Sequence, residues 1–355
     1  MPATTSAESR PRVEGFDLLR GLCAIGVAYY HLLHWFELRE LYNLGLYGVY
    51  VFFILSGASL YSAYAHKLRA GLGVLTYLGL RYLRLLPLFG LIVLLVPLVN
   101  RQRYDFAFAK TVVLNLSFAF GLANPGMSTP VTGGWSLGIE FVFYLLFPIL
   151  VAFVAGPPVA CIGALVLSFL VQRIAVEQSF PAGGTLADNW IHYTQVAAFC
   201  FYFVAGCAFG RLLVERPWRP STALGTAWPW LAFVLLAALI AASSARDLVS
   251  SLTGLRGVLL TLACVLLVAL SGLLVVPRRL TWIALAMGNM SYGLYLLHPM
   301  VHTVVARYAP GLRDDPMRYT AGIVALSIAL ALALERFYER PLRATGRRVL
   351  LAPTR

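Results

Sequence analysis

The chain has 355 residues, of which 60% are hydrophobic and only 12% are charged, a composition that excludes a soluble domain and is typical of a polytopic membrane protein. Its net charge of +13 comes from basic residues in short loops between apolar segments, so we predict no nucleic-acid partner. The five cysteines lie inside apolar segments without the spacing of metal ligands, and we predict neither disulfides nor a metal site.

Ten apolar runs are long enough to cross a bilayer, and they predict an all-α, polytopic membrane bundle of about ten transmembrane helices. The runs lie at 16–36, 44–64, 82–99, 135–155, 157–172, 191–214, 225–243, 257–276, 282–306 and 319–335. Polar residues interrupt an eleventh run, 106–122, and Asn-Pro-Gly follows it, so we predict a re-entrant or interfacial helix there.

The distribution of basic residues orients this bundle. With ten crossings and a cytosolic N-terminus, most Lys and Arg lie in cytosolic loops and tails, and an eleventh crossing would break this bias. We therefore predict a cytosolic N-terminal tail at 1–15, a membrane domain at 16–340 and a basic cytosolic C-terminal tail at 341–355.

The first predicted span carries ionisable side chains at membrane depth: Asp17, Arg20, His31 and His34. Asp17, Arg20 and His31 recur at helical spacing and share one face, with Arg20 and His31 about 16 Å apart along the axis. An intramembrane charge costs roughly 2.5–3.5 kcal/mol, which makes these residues functional candidates. The structural alternative is an Asp17–Arg20 ion pair at the interface and a helix-to-helix hydrogen bond from His31.

A basic pair stands at the cytosolic entrance of the third span. Arg81 and Arg84 lie one helical turn apart on one face, a geometry that suits a phosphate or pyrophosphate. Ordinary positive-inside anchoring, or contact with lipid headgroups, is the alternative.

The fourth span carries a carboxylate near its start. Trp135 lies at the expected interface, Glu140 lies five residues further on, and Tyr144 follows one turn later on the same face. A carboxylate at this depth needs a partner, and His31 has the matching depth in the predicted topology. A buried helix-to-helix hydrogen bond explains Glu140 equally well.

The ninth span contains His298 followed by Pro299. Proline removes a backbone hydrogen bond and kinks a helix, which a membrane tolerates only where protein or water satisfies the freed groups. We therefore expect a broken helix here that forms part of a cavity wall.

Six stretches together resemble the integral-membrane acyltransferase-three family, whose members are O-acyltransferases that modify bacterial glycans and other hydroxylated molecules. The matching blocks follow the family's order: FDLLRGLCAIGVAYYH (16–31), GVYVFFILSG (48–57), RYLRLLP (81–87), GWSLGIEFVFYLLFP (134–148), SYGLYLLHP (291–299) and YERP (338–341). The chain departs from the pattern at Tyr50, where the family often has a smaller polar residue.

The resemblance implies a multi-pass O-acyltransferase of the cell inner membrane that moves an acyl group, most simply acetyl, from acyl-CoA to a hydroxyl of an extracytoplasmic or lipid-linked saccharide. It implies catalysis by His31 and Glu140 and donor binding by Arg20, Arg81 and Arg84. Five further residues are expected to support the substrates: Asp17, His34, Trp135, Tyr144 and His298. Membrane lipids and the saccharide are the expected partners, without an obligate protein partner.

The chemistry of the candidates fits this reading. Neutral His31 can take the proton of an acceptor hydroxyl that attacks the thioester, while Glu140 orients the imidazole ring. Direct transfer and a transient acyl-histidine both remain open. The alternative from another class is a transporter or exporter of a polar or anionic solute, in which Arg20, Glu140 and His298 bind an anion or relay protons.

Overall fold

The computed structural model describes residues 12–37, 42–100, 104–180, 184–217, 222–243 and 248–352. The structure is 85% helical, and its described residues form no strand, which confirms the all-α class. Among these described residues, ten helices are long and apolar enough to cross a membrane, as predicted.

The α-helices of the described residues follow one another without an intervening sheet. They are α1 (Glu14–Trp35), α2 (Tyr42–Arg69), α3 (Val74–Asn100), α4 (Phe106–Leu116), α5 (Trp135–Val154), α6 (Pro158–Ser179), α7 (Trp190–Tyr193), α8 (Cys200–Glu215), α9 (Ala223–Ala242), α10 (Leu248–Leu252), α11 (Gly254–Leu273), α12 (Thr281–Tyr308), α13 (Pro316–Leu334) and α14 (Arg340–Leu350). Four of them, α4, α7, α10 and α14, are too short to span a bilayer.

The eleventh apolar run does not form a spanning helix. Helix α4 has 11 residues, about 16 Å of helix, roughly half of a hydrocarbon core. Asp105 caps its start by accepting a 2.8 Å hydrogen bond from the Phe108 amide. The backbone then turns at Phe118, whose φ of 57° lies in the left-handed region, and a short 3₁₀ helix follows. This part of the chain therefore stays at one end of the bundle.

Small residues allow the central helices to approach closely. α1 packs along α2 and α12, while α2 packs along α8. At the α2–α8 crossing, a Cβ on Gly57 would lie 2.2 Å from the Phe203 carbonyl oxygen, and one on Gly206 would lie 2.0 Å from the Ile54 carbonyl oxygen. Packing of this kind substitutes for the hydrophobic effect, which does not drive helices together in lipid.

Two elements differ from the predictions, and a third is a helix that the sequence did not predict. α3 begins at Val74 and not at residue 82, so Arg81 and Arg84 lie inside the helix and not at its entrance. α12 continues through Pro299, so the expected break is wrong. The predicted C-terminal tail forms helix α14, whose arginines project from one side and which packs against α3.

We expect Gly206→Ala to destabilise the protein by more than about 1 kcal/mol, because its new Cβ meets the Ile54 carbonyl and forces the α2–α8 crossing apart. The matched control is Gly163→Ala in α6, where a Cβ meets nothing within 4 Å. Thermal unfolding of both variants in detergent measures the difference. An equal unfolding temperature for the two variants would contradict this account of the crossing.

Candidate active site

A cavity of about 940 Å³ lies at the end of the bundle where α1 begins and α14 ends. Segments of α1, α2, α3, α5, α12 and α14 form its wall. Exposed side chains surround its mouth, among them Arg12, His66, Lys67 and Arg347. From this mouth the cavity extends inward as far as Val49, near the start of α2, and Ser136, in the first turn of α5. It therefore penetrates most of the bundle.

The cavity carries an excess of positive charge. Its lining includes seven arginine or lysine side chains and three carboxylates. The cationic residues are Arg12, Arg20, Lys67, Arg81, Arg84, Arg343 and Arg347, and the acidic ones are Asp17, Glu140 and Glu335. Such a lining favours an anionic ligand, and arginine in particular suits the oxygens of phosphates.

Asp17 and Arg20 hold the first helix in place within this cavity. The side chain of Asp17 is only 2% exposed and forms ion pairs with Arg12 and, at 3.7 Å, with Arg20. Arg20 also donates to the Ser59 hydroxyl at 2.5 Å and to the Leu55 carbonyl at 3.1 Å. The predicted Asp17–Arg20 pair is therefore present, and α2 supplies further partners for the arginine.

The arginine pair of α3 faces the same cavity. Arg81 donates to the Tyr64 hydroxyl at 2.6 Å and lies over the Tyr64 ring, while Arg84 lies 5.7 Å from the centre of the Tyr292 ring. The Nε atom of Arg81 is buried and has no hydrogen-bond partner in the described part of the chain. Both guanidinium groups thus retain donor capacity for a ligand.

Glu140 lies deep in the large cavity, where it accepts hydrogen bonds of 2.6 Å from Ser56 and 2.5 Å from Tyr144. Tyr144 is therefore adjacent to Glu140, as its spacing predicts. The expected contact between Glu140 and His31 is wrong. Within the described residues, the hydrogen bonds of Glu140 go to Ser56 and Tyr144, and His31 is instead bonded to His298. The two side chains were expected at the same depth in the membrane, but they do not lie on facing sides of their helices.

A second, smaller cavity of about 90 Å³ lies toward the opposite end of the bundle. Six aromatic side chains and His31 line it; the aromatic residues are Tyr30, Tyr50, Trp135, Trp190, Tyr193 and Tyr295. Tyr193 lies in a connecting segment between spanning helices. Burial raises the pKa of its hydroxyl, so the hydroxyl stays neutral, and it forms a hydrogen bond with the hydroxyl of Tyr50. Trp135 thus contributes to this small cavity and not to the large one.

Two residues, Val49 and Tyr295, line both cavities and form the wall between them. The Tyr295 hydroxyl is within 3.0 Å of the Gly133 carbonyl oxygen and of the Ser136 hydroxyl, which hold its ring in place. The first-helix face that carries Asp17, Arg20 and His31 therefore borders the large cavity at one end and the small cavity at the other.

The two remaining histidines of the candidate set lie outside both cavity linings. His298 is 1% exposed and contacts His31 across the α1–α12 interface. His34 is exposed at the end of α1, where its ring stacks 5.8 Å from that of Tyr30.

Several lining residues were not anticipated from the sequence: Ser56, Ser59, Tyr295, Arg343 and Arg347. Arg343 is held by Glu335 at 2.5 Å and by Glu339 at 3.3 Å, which aims α14 toward the cavity mouth. The spacing of Arg340, Arg343 and Arg347 places them on one helical face, which could have indicated the role of α14. No sequence pattern indicated that the two serines line the cavity.

Comparison with protein families identifies the family to which this chain belongs. The Acyl_transf_3 family model, an acyltransferase domain, matches residues 13–336. The chain belongs to the Acyl_transf_3 family. With ten helices of spanning length, this Acyl_transf_3 protein is a membrane acyltransferase. Comparison with curated proteins and with solved structures found no match. The two α14 arginines that line the large cavity, Arg343 and Arg347, lie beyond the matched residues.

We expect Asp17→Asn to destabilise the protein by about 3 kcal/mol, because it removes the buried anion that Arg12 and Arg20 share. The control is Asp315→Asn, since Asp315 pairs with Arg318 at the exposed start of α13 and such pairs contribute little. Thermal unfolding in detergent compares them, and equal stability of the two variants would show that Asp17 does not organise the cavity.

Proposed function

We propose that this acyltransferase transfers an acyl group, most simply acetyl, from acyl-CoA to a hydroxyl of an extracytoplasmic or lipid-linked saccharide. In this proposal the protein lies in the cell inner membrane with both termini in the cytosol. One observation carries the proposal: a deep, strongly cationic cavity opens beside the start of α1 and beside α14, and only the wall formed by Val49 and Tyr295 separates it from the small cavity that His31 lines.

The large cavity suits acyl-CoA in both size and charge. Its volume of about 940 Å³ is near the upper end of the range of ligand pockets, roughly 300–1,000 Å³. Acyl-CoA carries several phosphates at one end and its thioester at the other. The cationic residues near the mouth suit the phosphates, and the deeper region, whose lining includes Phe52 and Tyr295, suits the uncharged arm that leads to the thioester.

The small cavity suits part of the acceptor. Its aromatic rings offer apolar faces to the carbon skeleton of a sugar, while the hydroxyls of Tyr50 and Tyr193 can bond polar groups. Its volume admits a single hydroxyl-bearing group and not a whole oligosaccharide, so the remainder of the acceptor would lie outside it.

His31 borders the acceptor cavity and can act as a general base. As the acceptor oxygen forms a bond to the acyl carbonyl carbon, its proton passes to the imidazole. The carbon–sulfur bond of the thioester then breaks, and the CoA thiolate takes that proton, so the imidazole returns to its starting form. Transfer through an acyl-histidine would use the same nitrogen as a nucleophile.

The wall between the cavities must open for this reaction. Rotation of the Tyr295 ring away from Gly133 and Ser136 would join the two spaces and bring a thioester to His31. Glu140 lies on the donor side of this wall, where its negative charge partly balances the arginines. Glu140 bonds Ser56 and Tyr144 and therefore does not orient the His31 ring.

Membership of an acyltransferase family favours the enzyme over the transporter alternative. The small size of the cavity beyond the wall also suits chemistry at a group held there better than passage of a solute.

We expect His31→Ala to abolish acyl transfer, with at least a hundredfold loss, because His31 is the one imidazole among the described residues that line the small cavity. The assay supplies labelled acetyl-CoA to membranes that contain the protein and its acceptors and measures label in the envelope glycans. His192→Ala, which alters an exposed histidine in a connecting segment, is the matched control. Undiminished transfer by His31→Ala would refute the catalytic assignment.

We expect the double variant Arg81→Ala, Arg84→Ala to raise the KM for acetyl-CoA by about tenfold or more, because it removes charge-assisted hydrogen bonds to phosphate. The KM for the acetyl thioester of N-acetylcysteamine, which has no phosphate, should stay unchanged. Arg318→Ala, at an exposed arginine of α13, is the control. An equal rise with both donors would indicate general damage to the site, and no rise with acetyl-CoA would exclude a donor role for the pair.

A further inference from the structure

Two imidazoles meet at the α1–α12 interface. The Nδ1 atom of His31 lies 2.9 Å from the Nε2 atom of His298. The ring centroids are 5.2 Å apart and the ring planes differ by 15°. Because the centroid separation exceeds the nitrogen–nitrogen distance by about the width of one ring, the rings meet edge to edge in nearly one plane, the geometry of a hydrogen bond between them.

The other side of His298 fixes the direction of this hydrogen bond. Its Nδ1 atom lies 3.0 Å from the carbonyl oxygen of Leu294, and its ring also interacts with the carbonyl of Tyr295. A carbonyl oxygen can only accept, so Nδ1 of His298 carries the proton. In a neutral imidazole the second nitrogen is then an acceptor. His31 must therefore donate from Nδ1, which leaves its Nε2 unprotonated.

The sequence His298–Pro299 explains why one of these carbonyls, that of Tyr295, is available. Pro299 has no amide proton, so the carbonyl of Tyr295, four residues earlier, loses its usual helical donor. The imidazole of His298, whose Nδ1 bonds the Leu294 carbonyl, also interacts with this carbonyl. The proline of α12 thus leaves a carbonyl without its helical donor beside the His298 ring, although the helix continues through it.

The surroundings hold both rings in this arrangement. His298 is 1% exposed and lines neither cavity, whereas His31 lines the small one. The indole of Trp35 stacks on His31 with centroids 5.6 Å apart and also contacts the His302 ring at 4.6 Å. His302 in turn bonds the Tyr319 hydroxyl at 3.0 Å. Packing from α1, α12 and α13 therefore prevents either ring of the pair from turning away.

We infer that His298 is a positioning residue which fixes the tautomer of His31, so that the bare Nε2 of His31 is the atom that receives the acceptor's proton. This inference rests on the proposed function, because it assigns a role to His298 within that reaction. In chemical terms, His298 accepts from Nδ1 of His31 before and during proton transfer, and it stabilises the imidazolium that forms. In other histidine-based sites a carboxylate accepts this hydrogen bond and fixes the tautomer of the catalytic histidine, and here His298 has that role.

The test compares two substitutions of His298 in membranes that contain the full chain, with labelled acetyl-CoA as donor. His298→Gln keeps an oxygen that can accept from Nδ1 of His31, whereas His298→Leu has similar bulk and no acceptor. We expect His298→Leu to lower the maximal rate by about tenfold to a hundredfold without changing the apparent KM for acetyl-CoA. His298→Gln should restore most of that loss.

Each outcome separates the inference from the proposed function. If wild type transfers acyl groups and His31→Ala does not, equal rates for His298→Leu and wild type would overturn the inference alone. Equal losses in His298→Leu and His298→Gln would also overturn it, because they would mark a packing role. No transfer by wild type, or full transfer by His31→Ala, would instead refute the proposed function.

A spectroscopic measurement on wild type avoids any dependence on the folding of the variants. Nitrogen-15 NMR of protein labelled in its six histidines distinguishes protonated from bare ring nitrogens. Spectra of His31→Ala and wild type together assign the His31 signals. We expect protonated Nδ1 and bare Nε2 for His31, and the opposite tautomer would contradict the inference.

Discussion

Charged side chains cannot face lipid without a large cost, and this constraint organises the whole protein. Arg20 and Arg81 do not face lipid; they line one deep cavity, where an ion pair, a tyrosine hydroxyl and a backbone carbonyl hold them. The buried carboxylate of Asp17 is central, since it joins Arg12 to Arg20 and fixes the start of α1. The same helix then presents His31 at its other end. One element therefore links a cationic space to an imidazole across the bundle.

The wall formed by Val49 and Tyr295 separates the cationic cavity from the small cavity that His31 lines. A continuous pore would let water and small solutes leak between the two sides, whereas a closed barrier would prevent transfer. A tyrosine held by two hydrogen bonds can keep the cavities apart and still move when a thioester arrives. In the proposed reaction, transfer across this wall would move an acyl group through the membrane without moving its carrier.

The sequence predicted the elements of this fold better than their contacts. Hydropathy and length were sufficient for ten spans, and helical spacing was sufficient for the Glu140–Tyr144 neighbours. Depth in the membrane could not pair His31 with its partner, because depth says nothing of which side of a helix faces which neighbour. The close contact of α1 with α12 brings together two helices that are far apart in the sequence, and no local sequence pattern encodes it. Likewise, the arginines of α14 were visible as a basic face, but their approach to the cavity depends on tertiary packing.

The most direct measurement of the central claim is the sidedness of the reaction. Inverted membrane vesicles expose the cytosolic face, right-side-out vesicles expose the opposite face, and acetyl-CoA crosses neither. With labelled acetyl-CoA supplied only outside, inverted vesicles should acylate glycans enclosed in their lumen, and right-side-out vesicles should not become labelled. Equal labelling in right-side-out vesicles would contradict a donor path that begins at the start of α1 and beside α14 and crosses the bundle to His31.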